Sequence, residues 1–157
     1  MTDKENTNAV EDFDEFFKRL VNYRNSGANY FAAHTDIEIT DIWLGGAKGH
    51  IILKEHHGNP IGSVHGGCLF SLADSVGGAA AVSRRRAVTT VSSSINYVNA
   101  AMMGETKELT AEASEIKAGK STCVYKVDIT NDSGKLIATA VNTYFYLKGE
   151  MNLPGGD

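Results

Sequence analysis

The chain has 157 residues, 42% hydrophobic and 22% charged, with a formal net charge of −4. That length suits one domain with a real core, and the mild negative charge gives no reason to expect nucleic acid or an anionic membrane as a partner. No run of about 18 or more consecutive apolar residues occurs, so no membrane span is expected. The polar, acidic opening MTDKENTNAVEDFDEFF reads neither as a secretory signal nor as a transit peptide. A cytoplasmic location is expected. Cys68 and Cys123 lie in apolar or alternating segments without partners at metal-ligand spacing, and they read as buried reduced thiols.

In chain order, residues 1–10 read as a loose tail, 11–149 as one domain and 150–157 as a frayed end. From Glu11 to Asn25, Phe13, Phe16, Phe17, Leu20 and Val21 recur at helical spacing. Ile37 to Leu44 and Lys48 to Lys54 are β-like, separated by a Gly45-Gly46 turn. EHHGNPIGS is a loop, punctuated by glycine and proline. His56 and His57 are adjacent there, a poor chelating geometry without carboxylates at ligand spacing, and no metal site is expected. A long helix follows, from about Gly66 to Ser83, with Leu69, Leu72, Ala73, Val76 and Ala80 as its apolar stripe. Arg84, Arg85 and Arg86 close it. The remainder reads as four strands: Val88–Val98, Glu108–Lys117, Thr122–Thr130 and Lys135–Leu147. Asn131-Asp132-Ser133-Gly134 forms a hairpin turn between the last two. Clustered strands and one long apolar helix predict an α+β domain with an antiparallel sheet.

The stretch VHGGCLFSLADSVGGAAA sets an ionisable carboxylate, Asp74, inside that apolar helix. Gly77 and Gly78 lie three and four residues on and leave space beside it. A buried carboxylate must be hydrogen-bonded, shifted in pKa or wet, which are conditions suited to a general base or a nucleophile. The alternative is an exposed Asp, or one satisfied by a nearby amide. At the helix start, Gly66 and Gly67 leave amides unscreened, and the first amides of a helix have no internal acceptor. That is an anion or oxyanion site. A carboxylate along the helix and an oxyanion site at its start could flank one carbonyl, as acyl transfer to water requires.

These residues carry a resemblance. VHGG, the run LFSLAD nine residues from His65 to Asp74, and Asn59 six residues before His65 resemble the hotdog-fold acyl-CoA thioesterases of the phenylacetate-pathway (PaaI-like) type. The resemblance spans about Asp36 to Leu147. One departure is Ala100-Ala101, where the family usually has a proline. It implies a six-stranded antiparallel sheet wrapped around the long helix, here with an extra N-terminal helix. It implies Asp74 as general base or nucleophile and the Gly66 amide as donor to the thioester oxygen. Asn59 would polarise the carbonyl or hold the water, and His65 would shape the loop more than titrate. A hydroxyl from the strand after the helix, assigned to Thr90 with Ser92 in reserve, would come from a partner subunit. For the coenzyme A part of the substrate it implies Gly67, the arginines Arg84, Arg85 and Arg86, and the Gly119-Lys120-Ser121 turn. No separate cofactor is implied. The expected unit is a homodimer or a dimer of dimers. Two other readings stay open on the sequence: a hotdog acyl-thioester dehydratase or hydratase, and a non-catalytic acyl-CoA binding module.

Overall fold

The computed structural model describes residues 12–27, 30–151 and 153–154. The expected loose tail at 1–10 lies outside the described residues. The elements run α1 (Phe13–Asn25), α2 (Tyr30–His34), β1 (Ile37–Trp43), β2 (Gly46–Ile52), a 3-10 turn at Glu55–His57, α3 (Gly66–Val82), β3 (Arg86–Tyr97), β4 (Glu108–Ala118), β5 (Thr122–Asn131) and β6 (Leu136–Glu150). Every strand pairing is antiparallel, in one six-stranded sheet of order β1-β2-β4-β5-β6-β3. The last four strands are therefore not one meander. Only β4, β5 and β6 are, and β3 crosses to the far side of β6.

The sheet wraps α3, which touches all six strands. Its stripe of Leu69, Leu72, Ala73, Val76 and Ala80 is buried, and so is everything from Val76 to Ser83. A fully buried Leu or Val contributes about 1.5–3 kcal/mol of hydrophobic stabilisation. Opposite it, the alternating residues Leu109, Ala111 and Ala113 of β4 and Cys123, Tyr125, Val127 and Ile129 of β5 turn inward. Alanine and glycine in the second half of α3 let the helix sit close to the sheet.

α1 lies against β1 through Phe16 and Leu20, one turn apart and both buried. At its end Asn25 grips the outer side of β1: its amide donates to the Ile39 carbonyl at 2.7 Å and its carbonyl accepts the Ile39 amide at 2.8 Å. α2 escaped the sequence reading, because five residues show no period. Arg85 stacks over the rings of Phe13 and Phe16. Met151 and Leu153 pack partly buried against the core.

Candidate active site

Asp74 sits mid-way along α3, half-buried. Thr90 of β3 donates its hydroxyl proton to Asp74 Oδ1 at 3.0 Å, within the same chain. The contact expected from a partner subunit is thus made at home. A bulge in the β3–β6 register between Thr90 and Ser92 explains why Thr90 can do this. Thr90 pairs with the inward-facing Tyr144, whereas Ser92 pairs with Thr143 and takes the opposite face. The bulge puts Thr90 and Ser92 on opposite faces, and it is Thr90, not the reserve Ser92, that reaches Asp74.

β3 continues along α3 to the helix start. There the Tyr97 hydroxyl donates to the Gly66 carbonyl at 3.0 Å. In the sequence Tyr97 is one aromatic on a strand, with no signal that it reaches the helix start. His65 is the N-cap residue, and its Nδ1 accepts the Gly67 amide at 2.8 Å. Its ring therefore carries its proton on Nε2. The Gly67 amide is occupied by this cap and is not a free donor for substrate, contrary to expectation. No acceptor pairs with the Gly66 amide among the described residues.

Asn59 anchors the loop before the helix. Its carbonyl accepts the amides of Ile61 and Ser63, both at 3.1 Å, and its amide donates to Ser63 Oγ at 2.9 Å. One N–H of that amide remains. Within one chain Gly66 and Asp74 are eight residues apart, about 12 Å at 1.5 Å per helical residue. One copy of α3 cannot bring both to one carbonyl, which corrects the expectation that a single helix flanks it.

Gly77 and Gly78 do not open a space for the carboxylate. They admit side chains from behind. A Cβ on Gly77 would run into the Tyr144 hydroxyl and come within 2.9 Å of Asn142 Nδ2, and one on Gly78 would lie 3.1 Å from Arg24 Nη2. Gly77→Ala is expected to cost on the order of 1–3 kcal/mol, as overpacking does, read as a fall in Tm; an unchanged Tm would contradict the close approach.

Arg24 of α1 donates from Nη2 to the Ser75 carbonyl at 3.0 Å. Burial pushes its pKa down, while Tyr144 and Asp74 act in the opposite direction. Burial, reinforced by the charge of Asp74, pushes the Tyr144 phenol well up. Cys68, beside the helix start, is a thiol raised to about 11 by burial and then by Asp36, so it is no nucleophile near neutral pH. Both cysteines are free.

The basic residues separate. Arg84 makes a two-pronged ion pair with Glu115, at 2.7 and 2.8 Å. That pair raises the Arg84 pKa and lowers that of Glu115. Arg85 is turned onto α1. Arg86 lies over the Tyr146 ring at 3.8 Å and donates to the Lys120 carbonyl at 3.1 Å. Of the three arginines, Arg86 alone among these contacts joins the Gly119-Lys120-Ser121 turn. Gly119 itself closes that turn, its amide donating to the Thr122 carbonyl at 2.8 Å.

Asp36, His56 and His57 do converge, which their sequence spacing did not reveal. Their chemistry does not fit a cation. His57 Nδ1 accepts the Lys54 amide at 2.9 Å, so Nε2 holds a proton and faces Asp36 at 3.3 Å. The Lys54 ammonium occupies the other Asp36 oxygen at 2.5 Å. Among the described residues no helix is long and apolar enough to cross a membrane.

A six-stranded antiparallel sheet wrapped on one buried helix is the hotdog architecture. The Thioesterase superfamily model matches residues 61–138. Over 110 residues the chain is 36% identical to a putative esterase of Archaeoglobus fulgidus, covering 70% of each. Over 94 residues it is 36% identical to human acyl-coenzyme A thioesterase 13, covering 58% of this chain and 66% of that one. The solved structure of the E. coli PaaI protein from the phenylacetic acid degradation operon matches with a TM-score of 0.74 at 28% identity, covering 85% of this chain and 99% of that one. The chain belongs to the thioesterase superfamily and is a hotdog-fold, PaaI-like thioester hydrolase.

Proposed function

We propose that the chain hydrolyses acyl-CoA thioesters with a small, medium or aromatic acyl group, releasing the free acid and coenzyme A. The observation that carries this reading is the Thr90-held carboxylate of Asp74 on the same helix as an open Gly66 amide. Asp74 and Thr90 of one copy meet Gly66 and Asn59 of a second, because the helix rise keeps the two halves apart in one copy. The unit is accordingly a homodimer, alone or paired again. The Gly66 amide takes the charge that grows on the thioester oxygen. Asp74 either removes a proton from water, whose oxygen then bonds to the carbonyl carbon, or attacks that carbon itself to give an anhydride that water opens. In both routes the carbon–sulfur bond breaks, and the thiolate leaves to be protonated. The cap that His65 makes on Gly67 keeps the ring proton on Nε2, which leaves that nitrogen no lone pair to take a proton from substrate and argues against the dehydratase reading. Arg86 with Gly119, Lys120 and Ser121 forms the candidate contact for coenzyme A phosphates, while Arg84 and Arg85 serve other partners.

The test is release of free thiol from a panel of acyl-CoAs of different length and aromaticity. Turnover of at least one member is expected. Acyl-CoA that binds and stays intact over hours would overturn the reading in favour of a binding module.

A further inference from the structure

The turn of α3 that carries Asp74 is gripped from outside the helix. Three successive carbonyls each accept a side-chain donor from another element. Asn142 Nδ2 reaches Ala73 at 3.2 Å, Tyr144 Oη reaches Asp74 at 3.3 Å, and Arg24 Nη2 reaches Ser75 at 3.0 Å. A mid-helix carbonyl already accepts the amide four residues on, so none of the three needs these donors for its own sake.

Two of the donors form a connected set, and Arg24 holds its carbonyl separately. Asn142 and Tyr144 are fully buried neighbours on β6. Asn142 Nδ2 also donates to Tyr144 Oη at 3.0 Å, and the Ser93 hydroxyl donates to Asn142 Oδ1. The Ser93–Asn142–Tyr144 chain is hydrogen-bonded throughout, and such a buried network rigidifies what it touches, whereas the buried Nε of Arg24 has no partner among the described residues. Room for it comes from Gly77 and Gly78, where a Cβ would meet Tyr144, Asn142 and Arg24. Apolar side chains against alanines would fill the same space without leaving glycines in mid-helix, so packing alone does not call for this arrangement. The grip also lines up with the reaction. Tyr144 is the register partner of Thr90. One strand pair therefore holds Asp74 twice, Thr90 by the carboxylate and Tyr144 by the backbone. Arg24 adds a third hold from α1, outside the 61–138 segment that matches the family.

We infer that Tyr144 and Arg24 are positioning residues for Asp74, fixing the helical turn that presents its carboxylate to the thioester. The inference rests on the reading of Asp74 as the catalytic group. Misplacement of a reacting group by about 1 Å can cost on the order of 10²-fold in rate, and a loss made only in the transition state lowers kcat without raising KM.

The experiment measures kcat and KM by thiol release, well below the melting temperature of each variant. Tyr144→Phe removes one hydroxyl, Arg24→Met removes donor and charge, and Arg24→Lys restores a donor. Tyr144→Phe and Arg24→Met are each expected to lower kcat about tenfold with KM held within about twofold, and Arg24→Lys to recover most of that loss. Wild-type kcat in Tyr144→Phe and Arg24→Met, or equal impairment of Arg24→Lys and Arg24→Met in step with a lowered Tm, would overturn the inference. Should Arg24→Met fail to fold, Tyr144→Phe alone decides. An inactive wild type, or a fully active Asp74→Asn, would instead bring down the functional reading, and the inference with it.

Discussion

Asp74→Asn is expected to lower kcat by about 10²–10⁴-fold, the range that a positioned general base contributes, with the fold intact. The substitution keeps the shape of the side chain, and its carbonyl oxygen can still accept the Thr90 hydroxyl that Asp74 Oδ1 accepts at 3.0 Å. What it removes is the lone pair and charge that take a proton from water or attack the thioester carbon. Asp74 is half-buried, not locked in the core, so the exchange leaves no new unsatisfied group in an apolar setting. The measurement is steady-state thiol release beside a thermal melt. An unchanged kcat at unchanged Tm would remove Asp74 from the chemistry. A loss of kcat that only tracks a loss of folded protein would do the same.

Gly66→Pro is expected to lower kcat by about 10²–10³-fold, the cost of one oxyanion donor, and Gly66→Ala far less. Of the pair, only proline replaces the N–H, with its ring Cδ. Gly66 is the first residue of α3, where proline is well accommodated because that amide has no place in the helix ladder. His65 before it has φ −63° and ψ 134°, an extended conformation that a following proline favours. Alanine and proline both add a Cβ, which would lie 3.2 Å from the Tyr97 ring and hydroxyl. Whatever that crowding costs appears in both variants, and only proline also deletes the N–H. Equal activity of the two would mean that the Gly66 amide does not touch the growing charge.

The fold was legible where the signal is local. Alternation through Leu109, Ala111 and Ala113, and through Cys123 to Ile129, named the inward faces correctly. The stripe on α3 named its buried side. Strand order was not legible, because nothing in Val88–Val98 says that its neighbour is β6 and not β4. That pairing is a long-range choice. At the site, the motif marks Asp74 and Gly66 on one helix, and the resemblance points to Thr90, whose hydroxyl lies within hydrogen-bond reach of Asp74. The offset that aims Thr90 inward and Ser92 outward is a bulge, which leaves no trace in composition. Arg24 looks like any arginine on an amphipathic helix until its Ser75 contact is seen. The glycine pair marks missing side chains, but the space it leaves belongs to Tyr144 and Arg24 behind the helix and not to the carboxylate. Sequence marks which residue lacks a side chain; only packing says who fills the gap.

The two hydrogen bonds of Asn25 to Ile39 have a consequence for how copies of the chain can meet. They occupy both backbone groups of Ile39 on the β1 border of the sheet, while no side chain makes such a pair of bonds to the β3 backbone among the described residues. Strand-to-strand growth is thereby hindered at Ile39 on the β1 side. Two copies joined edge to edge along β3 would use up that edge in each, and such an association would close as a pair without running on into a fibre.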